Sequence, residues 1–442
     1  MKTLIQYTIV GTKASEIAAS IENEIRVGQI AHGTTLPPVR TLAKSLKVSP
    51  TTVAAAYRTL RLRGLLSGQR RRGTQVSHRP PLFTRPAVAV PPGLRDLANG
   101  NPDPTLLPSL QTVIARLDLH PRLYGQSINR PGLFELARRQ FEADKIPAGS
   151  LAILGGALDA IERVLQVHVR PGDRVAVEDP GYYEIFDLVR ALGLTPEPVA
   201  IDDFGFLPDD LGRILKNGVA ACILTPRAQN PTGAALDERR ARDLRKLFDT
   251  HGDVLVIEDD HAGPVAGAPA VTVCHRKKER WAVVRSVSKS LGPDLRLAIL
   301  TGDVTTVARV EGRQSIGAGW VSHILQGLVE ALWSESATAE QLGAASEMYT
   351  TRRSELIAAL ARHGISARGR SGLNVWVSVP EEVGIVTSLA TAGWAVRGGE
   401  RYRLKSPPAV RITISTLQVS EATQLAADFA QSLQPHRRTH SV

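Results

Sequence analysis

Four short apolar runs in the C-terminal two-thirds of the chain each break off abruptly into polar residues: DRVAVEDPGY, AACILTPRAQNPTG, DVLVIEDDHAG and WAVVRSVSKS. Runs of this length, rich in Val and Ile and separated by helical patterns such as DERRARDLRKLFDTHG, are the signature of βαβ units around a mostly parallel sheet. Parallel strands need crossover connections, and ligands of such sheets sit beyond the carboxyl ends of the strands. The polar clusters are therefore expected to converge on one site.

The 442 residues carry a formal charge of +11, but very unevenly. Residues 1–80 hold 13 Lys or Arg against three Glu, a net +10, whereas the other 362 residues hold 41 basic and 40 acidic side chains. A polyanion-binding head on a neutral body follows from that asymmetry. HRPPLFTRPAVAVPPG, residues 78–93, has five prolines and reads as an extended linker between the two. Cys222 and Cys274 are the only cysteines, far apart, which excludes a disulfide framework and a CxxC metal pattern. A reducing, cytoplasmic setting fits that usage. Gln6 and Tyr7 interrupt the first apolar residues before they reach signal-peptide length, and no apolar stretch is long enough to span a bilayer.

Within the head, Ile17, Ile21 and Ile25 recur every four residues, predicting a first helix that Gly28 and Gly33 end. Pro37 or Pro38 is placed to open a short second helix, with Leu42, Ala43 and Leu46 inward. In VSPTTVAAAYRTL, Ser49 is a plausible N-cap, Pro50 suits the first helical position, and Val53, Ala56, Tyr57 and Leu60 form the buried stripe. Two helices and a tight turn make a helix-turn-helix. LLSGQRRRGTQVS adds two short strands with Arg70, Arg71 and Arg72 at the tip, a wing. Ser49, Thr51 and Thr52 would reach major-groove edges, while Lys44, Lys47 and Arg58 would meet phosphates. A winged helix used for protein contacts is the alternative.

The body's polar clusters offer Lys289, Asp259, Asn230, Tyr182, small residues at a helix start (Gly155, Gly156, Ala157), Ser286, Ser288 and Arg296. A lysine with no obvious acid partner suits Schiff-base formation. A glycine-bearing helix start with hydroxyls and a guanidinium suits a phosphate monoester, and a carboxylate suits a protonated ring nitrogen. Together these requirements describe pyridoxal phosphate. Taken singly, each residue has a plainer reading: Lys289 on the surface, Asp259 and Asp260 capping a helix, Tyr182 in the core, Arg411 paired with a structural carboxylate.

The order of motifs in residues 12–77 (LPPxRxLA, VSPTTV, YRxL, a GT-containing wing) resembles the GntR type of winged helix-turn-helix. That resemblance implies DNA contacts at Arg40 and at Ser49, Pro50, Thr51 and Thr52, with Arg58, Arg70, Arg71, Arg72 and Thr74 beside them. Residues of about 96–435 resemble a fold-type I aminotransferase: YGQSINRPGLFELARRQF, GGALDAIERVL, VEDPGYY, QNPTG, IEDD, SVSKSLGPDLR and VRITIS. The fusion resembles the MocR subfamily of bacterial regulators. The resemblance implies a three-part layout: a head over 1–77, a Pro-rich linker over 78–95, and an aminotransferase-like domain over 96–442. The last would comprise a large subdomain at about 130–320 and a small one at about 330–442.

By the same resemblance, Lys289 would carry the cofactor as a Schiff base, Asp259 would pair with the ring nitrogen, Asn230 would bind the phenolic oxygen and Tyr182 would stack on the ring. Gly156, Ala157, Ser286, Ser288 and Arg296 would hold the phosphate, and Arg411 would face an amino-acid carboxylate. Tyr124 would reach across the interface of a homodimer. The chain departs from the subfamily at His261, where a tyrosine is usual and an imidazole would donate to the phenolic oxygen instead. It departs also at Leu154-Gly155-Gly156, without the usual hydroxyl, and at Arg227-Ala228, where Ser-His is common. The implied function is regulation of a double-stranded DNA operator by pyridoxal phosphate or by a small amine or amino acid. A working aminotransferase carrying a DNA-binding head, and a DNA-binding protein whose body is only a dimerisation scaffold, remain the alternatives.

Overall fold

The computed structural model describes residues 8–31, 33–62, 64–69, 73–77 and 90–434. The chain divides into two compact units, one built on residues 1–88 with 170–174 and 186–196, the other on 89–169, 175–185 and 197–442.

In the first unit, α1 (Ala14–Arg26), α2 (Val39–Leu46) and α3 (Pro50–Leu62) are followed by β1 (Leu66–Gln69) and β2 (Gly73–Val76), which pair antiparallel. Their core is the predicted one: Ile17, Ile21, Leu42, Ala43, Val53, Ala56, Tyr57 and Leu60 are buried together. Lys47 ends α2 in the left-handed conformation at φ 54°. The Ser49 hydroxyl accepts from the Thr52 amide at 3.1 Å, capping α3 as expected. Tyr57 fixes the approach to α2 by donating its hydroxyl proton to the Pro37 carbonyl at 2.8 Å. Arg70, Arg71 and Arg72 lie outside the described residues.

Next come β3 (Arg95–Asp96), β4 (Ser150–Leu154), β5 (Arg174–Asp179), β6 (Thr195–Asp202), β7 (Gly205–Phe206), β8 (Ala221–Leu224), β9 (Leu255–Asp260), β10 (Trp281–Ser286) and β11 (Ala298–Gly302), which but for Arg174, Thr195 and Pro196 belong to the second unit. Eight of them form one sheet in the order β4-β11-β10-β9-β8-β5-β6-β7. The strands β5, β8, β9 and β10 are the four apolar runs, and they are mutually parallel. At one edge β11 runs antiparallel to both β10 and β4. That register sets Ala298 opposite both Ser286 and Leu154, bringing the end of β10 close to the glycines that follow β4. Cys222 and Cys274 are buried free thiols.

Beyond the sheet, β12 (Ala367–Arg368), β13 (Asn374–Ser378), β14 (Trp394–Ala395), β15 (Arg397–Gly398) and β16 (Ala409–Thr413) follow the 27-residue helix Ser336–Arg362. Four of these strands make an antiparallel sheet, β12-β13-β16-β15. The other, β14, pairs parallel with β3. Arg95, within the stretch read as linker, is thus already part of the body, and its guanidinium pairs with Glu421 at 3.0 Å.

Candidate functional site

Period-two alternation at the end of β9 sends consecutive carboxylates to opposite faces. Asp260 is gripped by Arg227, with Nε and Nη2 at 2.8 and 2.9 Å, and by Arg285 Nε at 2.8 Å. Asp144 completes the network at 2.6 Å from Arg285. Burial opposes ionisation of Asp260, but Arg285 and Arg227 overcome it and hold the carboxyl far below the usual range. Asp260 therefore belongs to a structural ion network and caps no helix.

Asp259 points the other way. It is 5% exposed, and its Oδ1 is buried with no hydrogen-bond partner. Burial, with the negative charges of Asp260 and Glu178, pushes its carboxyl up to about 7, against the pull of Lys289. Glu178, at the end of β5, is likewise pushed up to about 7 by burial; it accepts hydrogen bonds from the Thr225 amide and hydroxyl and from Gln229. A buried carboxyl with an unfilled oxygen costs stability unless a cationic or donor group meets it.

Lys289 follows β10, and its ammonium donates to the Gly100 carbonyl. Burial and the Arg411 charge bring its pKa down to about 8, while Glu184 and Asp259 resist. It is no surface lysine. Ser286 donates its hydroxyl proton to Ser288 Oγ at 3.0 Å and accepts from the Ser288 amide at 3.2 Å, so both hydroxyls stay together at the strand's end. The helix Ala157–His168 starts where expected, on Gly156 at φ 111°. A Cβ on Gly156 would come within 3.2 Å of Arg296 Nη2, so the glycine permits the guanidinium to lie against the helix start. Gly155 N–H is taken by Asp159 at 2.9 Å. Arg296, which has no carboxylate within ion-pair distance among the described residues, thus lies against the helix start, and these donors with the hydroxyl pair are the groups that could hold an anion.

Arg411, on β16, is 3% exposed. It donates to Asn230 Oδ1 at 3.1 Å and to the Ala98 carbonyl, lies 4.9 Å over the Tyr402 ring, and has a buried Nε without a partner. Among the described residues no carboxylate pairs with it, which removes the reading as half of a structural ion pair. Tyr182 packs edge-on against Tyr183 at 5.2 Å, and burial followed by the Glu184 charge drives its hydroxyl pKa up. Lys289, Asn230, Tyr182 and Arg411 line one cleft of about 180 Å³ with Gly100, Tyr402, Arg397 and Arg401.

Two further predicted residues lie outside the cleft lining, and one of them departs from its expected role. His261 Nε2 faces the Ala228 carbonyl at 2.9 Å, and burial and Lys289 bring the ring down to about 4. A carbonyl only accepts, so the neutral ring spends its single N–H there and Nδ1 is left as an acceptor. The expected donation to a phenolic oxygen is not available in this arrangement. Tyr124 is 91% exposed and stands edge-on to Trp320 at 5.5 Å, outside the cleft. The sequence reading missed Arg397 and Arg401. Their only local sign is the basic density of VRGGERYRLK, and what places Arg397 at the site is a strand register no local pattern discloses.

In the head, Arg40, Lys44, Lys47, Ser49, Pro50, Thr51 and Arg58 are exposed, while Thr52 and Thr74 are half-buried. The Ser49 hydroxyl lies 2.7 and 2.8 Å from those of Thr51 and Thr52, and Thr74 accepts from Arg61 at 3.2 Å. A polar, cationic face therefore surrounds the start of α3.

The family model of aminotransferase class I and II matches residues 127–429, and that of the bacterial regulatory proteins of the gntR family matches residues 13–76. The chain belongs to the MocR-type GntR regulators. It is similar to the vitamin B6 salvage pathway transcriptional repressor PtsJ of Salmonella typhimurium, with 41% identity over 425 residues covering 96% of this chain and 99% of that one. It is also similar to the HTH-type transcriptional regulator TauR of Rhodobacter capsulatus, 27% identical over 84% of this chain and 85% of that protein. Pyrococcus horikoshii kynurenine aminotransferase shares the body's fold, with a TM-score of 0.70 at 20% identity over 77% of this chain and 91% of that structure. This MocR-type chain is thus a transcription regulator that joins a GntR head to a body of the fold-type I aminotransferase class. Among its described residues no helix is long and apolar enough to cross a membrane.

Proposed function

We propose that this regulator holds pyridoxal phosphate in the body's cleft and adjusts its hold on a double-stranded DNA operator when the cofactor, or an amine that reacts with it, is present. The observation that carries the reading is Asp259, a buried carboxyl with an unfilled oxygen, within electrostatic reach of the softened amine of Lys289. The residues present fit the cofactor. Asp259 would hold the proton at the ring nitrogen, and Tyr182 would cover a ring face. Asn230 would donate its amide N–H to the phenolic oxygen while its Oδ1 stays with Arg411. Gly156, Ala157, Ser286, Ser288 and Arg296 would hold the phosphate. Pyridoxal phosphate, when bound, supplies an aldehyde that condenses reversibly with primary amines.

The chain's own residues set the terms of that exchange. A lysine with pKa about 8 is neutral in roughly a tenth of molecules at pH 7, whereas an ordinary one is almost wholly protonated. Lys289 is therefore the amine through which the aldehyde would be captured, and Arg411 would take the carboxylate of a competing amino acid. Control of DNA binding requires that the ligand favour one arrangement of the protein over another. The similarity to PtsJ favours genes of vitamin B6 salvage as targets. Exposed Leu119, Leu123, Tyr124, Ile316 and Ile324 favour a homodimer formed through that face, with Tyr124 reaching the partner. The head over 1–77 would contact DNA through Arg40, Ser49, Pro50, Thr51, Thr52, Arg58 and Thr74, and through Arg70, Arg71 and Arg72. A cytoplasmic location accords with such a role.

A spectral titration with pyridoxal phosphate and a panel of amines, on wild type and Lys289→Ala with operator affinity measured in parallel, tests the proposal. A saturable new visible absorbance band in wild type alone, with amines altering both spectrum and affinity, is expected. Unchanged operator affinity despite altered absorbance would remove the sensing role; release of a keto acid in turnover would favour the enzyme.

A further inference from the structure

We infer that the amine this regulator senses is an amino acid with a second anionic group on its side chain, a carboxylate or a phosphate ester, bound by Arg397 and Arg401. The inference rests on the cofactor-and-amine reading above and narrows the class of ligand.

Arg397 on β15 stands directly opposite Arg411 on β16 in antiparallel register. Residues so placed project from the same face with Cβ atoms about 5 Å apart, and like charges there repel. No acid relieves them: among the described residues neither side chain has a carboxylate within ion-pair distance. Arg401, in the turn that follows β15, lies 4.7 Å over the Tyr183 ring and lines the same cleft. The neighbouring arginines are neutralised, Arg403 by Glu382 at 2.7 Å and Arg95 by Glu421 at 3.0 Å. Three guanidiniums and the Lys289 amine thus share a cleft whose lining contains no Asp or Glu. The nearby carboxylates of Glu184 and Asp259 act on Lys289 from outside that lining.

One α-carboxylate on Arg411 would leave two guanidiniums unmatched. The cofactor's phosphate does not fill that role, because Gly156, Ser286, Ser288 and Arg296, the groups that could hold it, do not line this cleft. A ligand with a second anion would answer both remaining charges, and charge-assisted bonds to guanidinium are the strong ones in a partly desolvated site. A neutral side chain would leave the repulsion between Arg397 and Arg411 only half relieved.

Isothermal titration of the full-length, cofactor-loaded protein tests this with L-glutamate, L-aspartate and O-phospho-L-serine against L-glutamine and L-alanine. The acidic ligands are expected to bind about 10- to 100-fold tighter than the neutral ones. Their ranking separates carboxylate from phosphate. Arg397→Gln and Arg401→Gln are expected to erase at least about tenfold of the preference while leaving L-glutamine affinity within about twofold, and Arg397→Lys to keep part of it. Equal affinity for L-glutamate and L-glutamine, or variants that weaken both alike, would overturn the inference while leaving the amine-sensing proposal standing. If every amine, acidic or neutral, leaves heat and cofactor absorbance unchanged, the amine-sensing proposal itself fails and this one with it.

Discussion

Replacing Asp259 by Asn should make the cofactor-free body more stable at alkaline pH and less able to hold its cofactor. The native carboxyl titrates near 7 in the fold against an ordinary 3.8. Below pH 4 both folded and unfolded chains carry the proton, and nothing is lost. As pH rises from 4 to 7 the unfolded chain ionises first, so the fold loses stability, and the loss is complete above the folded value. Its full size is about 4 kcal/mol, of which about 2–3 kcal/mol falls between pH 5 and pH 8. An amide never ionises, so the variant escapes this loss. Its own unmatched N–H costs about 1–3 kcal/mol at every pH, and the pH-dependent difference is therefore the clean observable. All five tryptophans lie beyond residue 280. Urea unfolding followed by tryptophan fluorescence thus reports the body alone. Relative to wild type, Asp259→Asn should gain about 2–3 kcal/mol on going from pH 5 to pH 8, and should bind pyridoxal phosphate at least about tenfold more weakly. A difference that is flat, or that falls with pH, would refute the account of Asp259 as a buried carboxyl awaiting a partner.

Other expectations follow from the same structure. Trapping of pyridoxal phosphate on Lys289 by borohydride should quicken about tenfold per pH step up to 8 and then level off; a rise continuing to pH 10 would show an ordinary lysine. Asp260→Asn should cost about 3–5 kcal/mol in the tryptophan-reported transition, since it leaves Arg227 and Arg285 buried without their shared anion. Arg40→Ala should weaken operator binding and lower the log–log salt slope by about one, as seen in anisotropy titrations at several salt concentrations. Leu123→Asp with Ile316→Asp should shift sedimentation from dimer to monomer, since both side chains sit on the exposed apolar face.

The four parallel strands were legible because each is a buried apolar run stopped by polar residues, a pattern that survives without knowledge of its neighbours. The head was legible because caps and stripes act within a few residues, as where Ser49 caps α3; that Lys47, a residue ill suited to the left-handed conformation, closes α2 was not. Lys289, Asp259, Asn230 and Arg411 stand out in the sequence as candidates, but their spatial relations do not. That Asp260 faces a pair of arginines while Asp259 is turned away from them depends on which face of β9 each side chain takes. That His261 spends its proton on Ala228 depends on a backbone turn at φ 56°. Arg397 entered the site only through its register against β16, a contact fourteen residues away across a turn.

The loop carrying Asn230 is sewn to the C-terminal sheet region at several points. Ala228 N–H donates to Ser371 Oγ at 2.8 Å, Ser371 N–H donates to the Gly233 carbonyl at 2.8 Å, and Arg353 holds the Gly372 carbonyl at 2.8 Å. Gly372 admits this closeness, for a Cβ there would fall 2.5 Å from that of Ala228. Arg411, on β16, donates to Asn230 Oδ1 at 3.1 Å and adds another tie. A molecule that touched either Asn230 or Arg411 would therefore press on both segments at once, because each is held to the other.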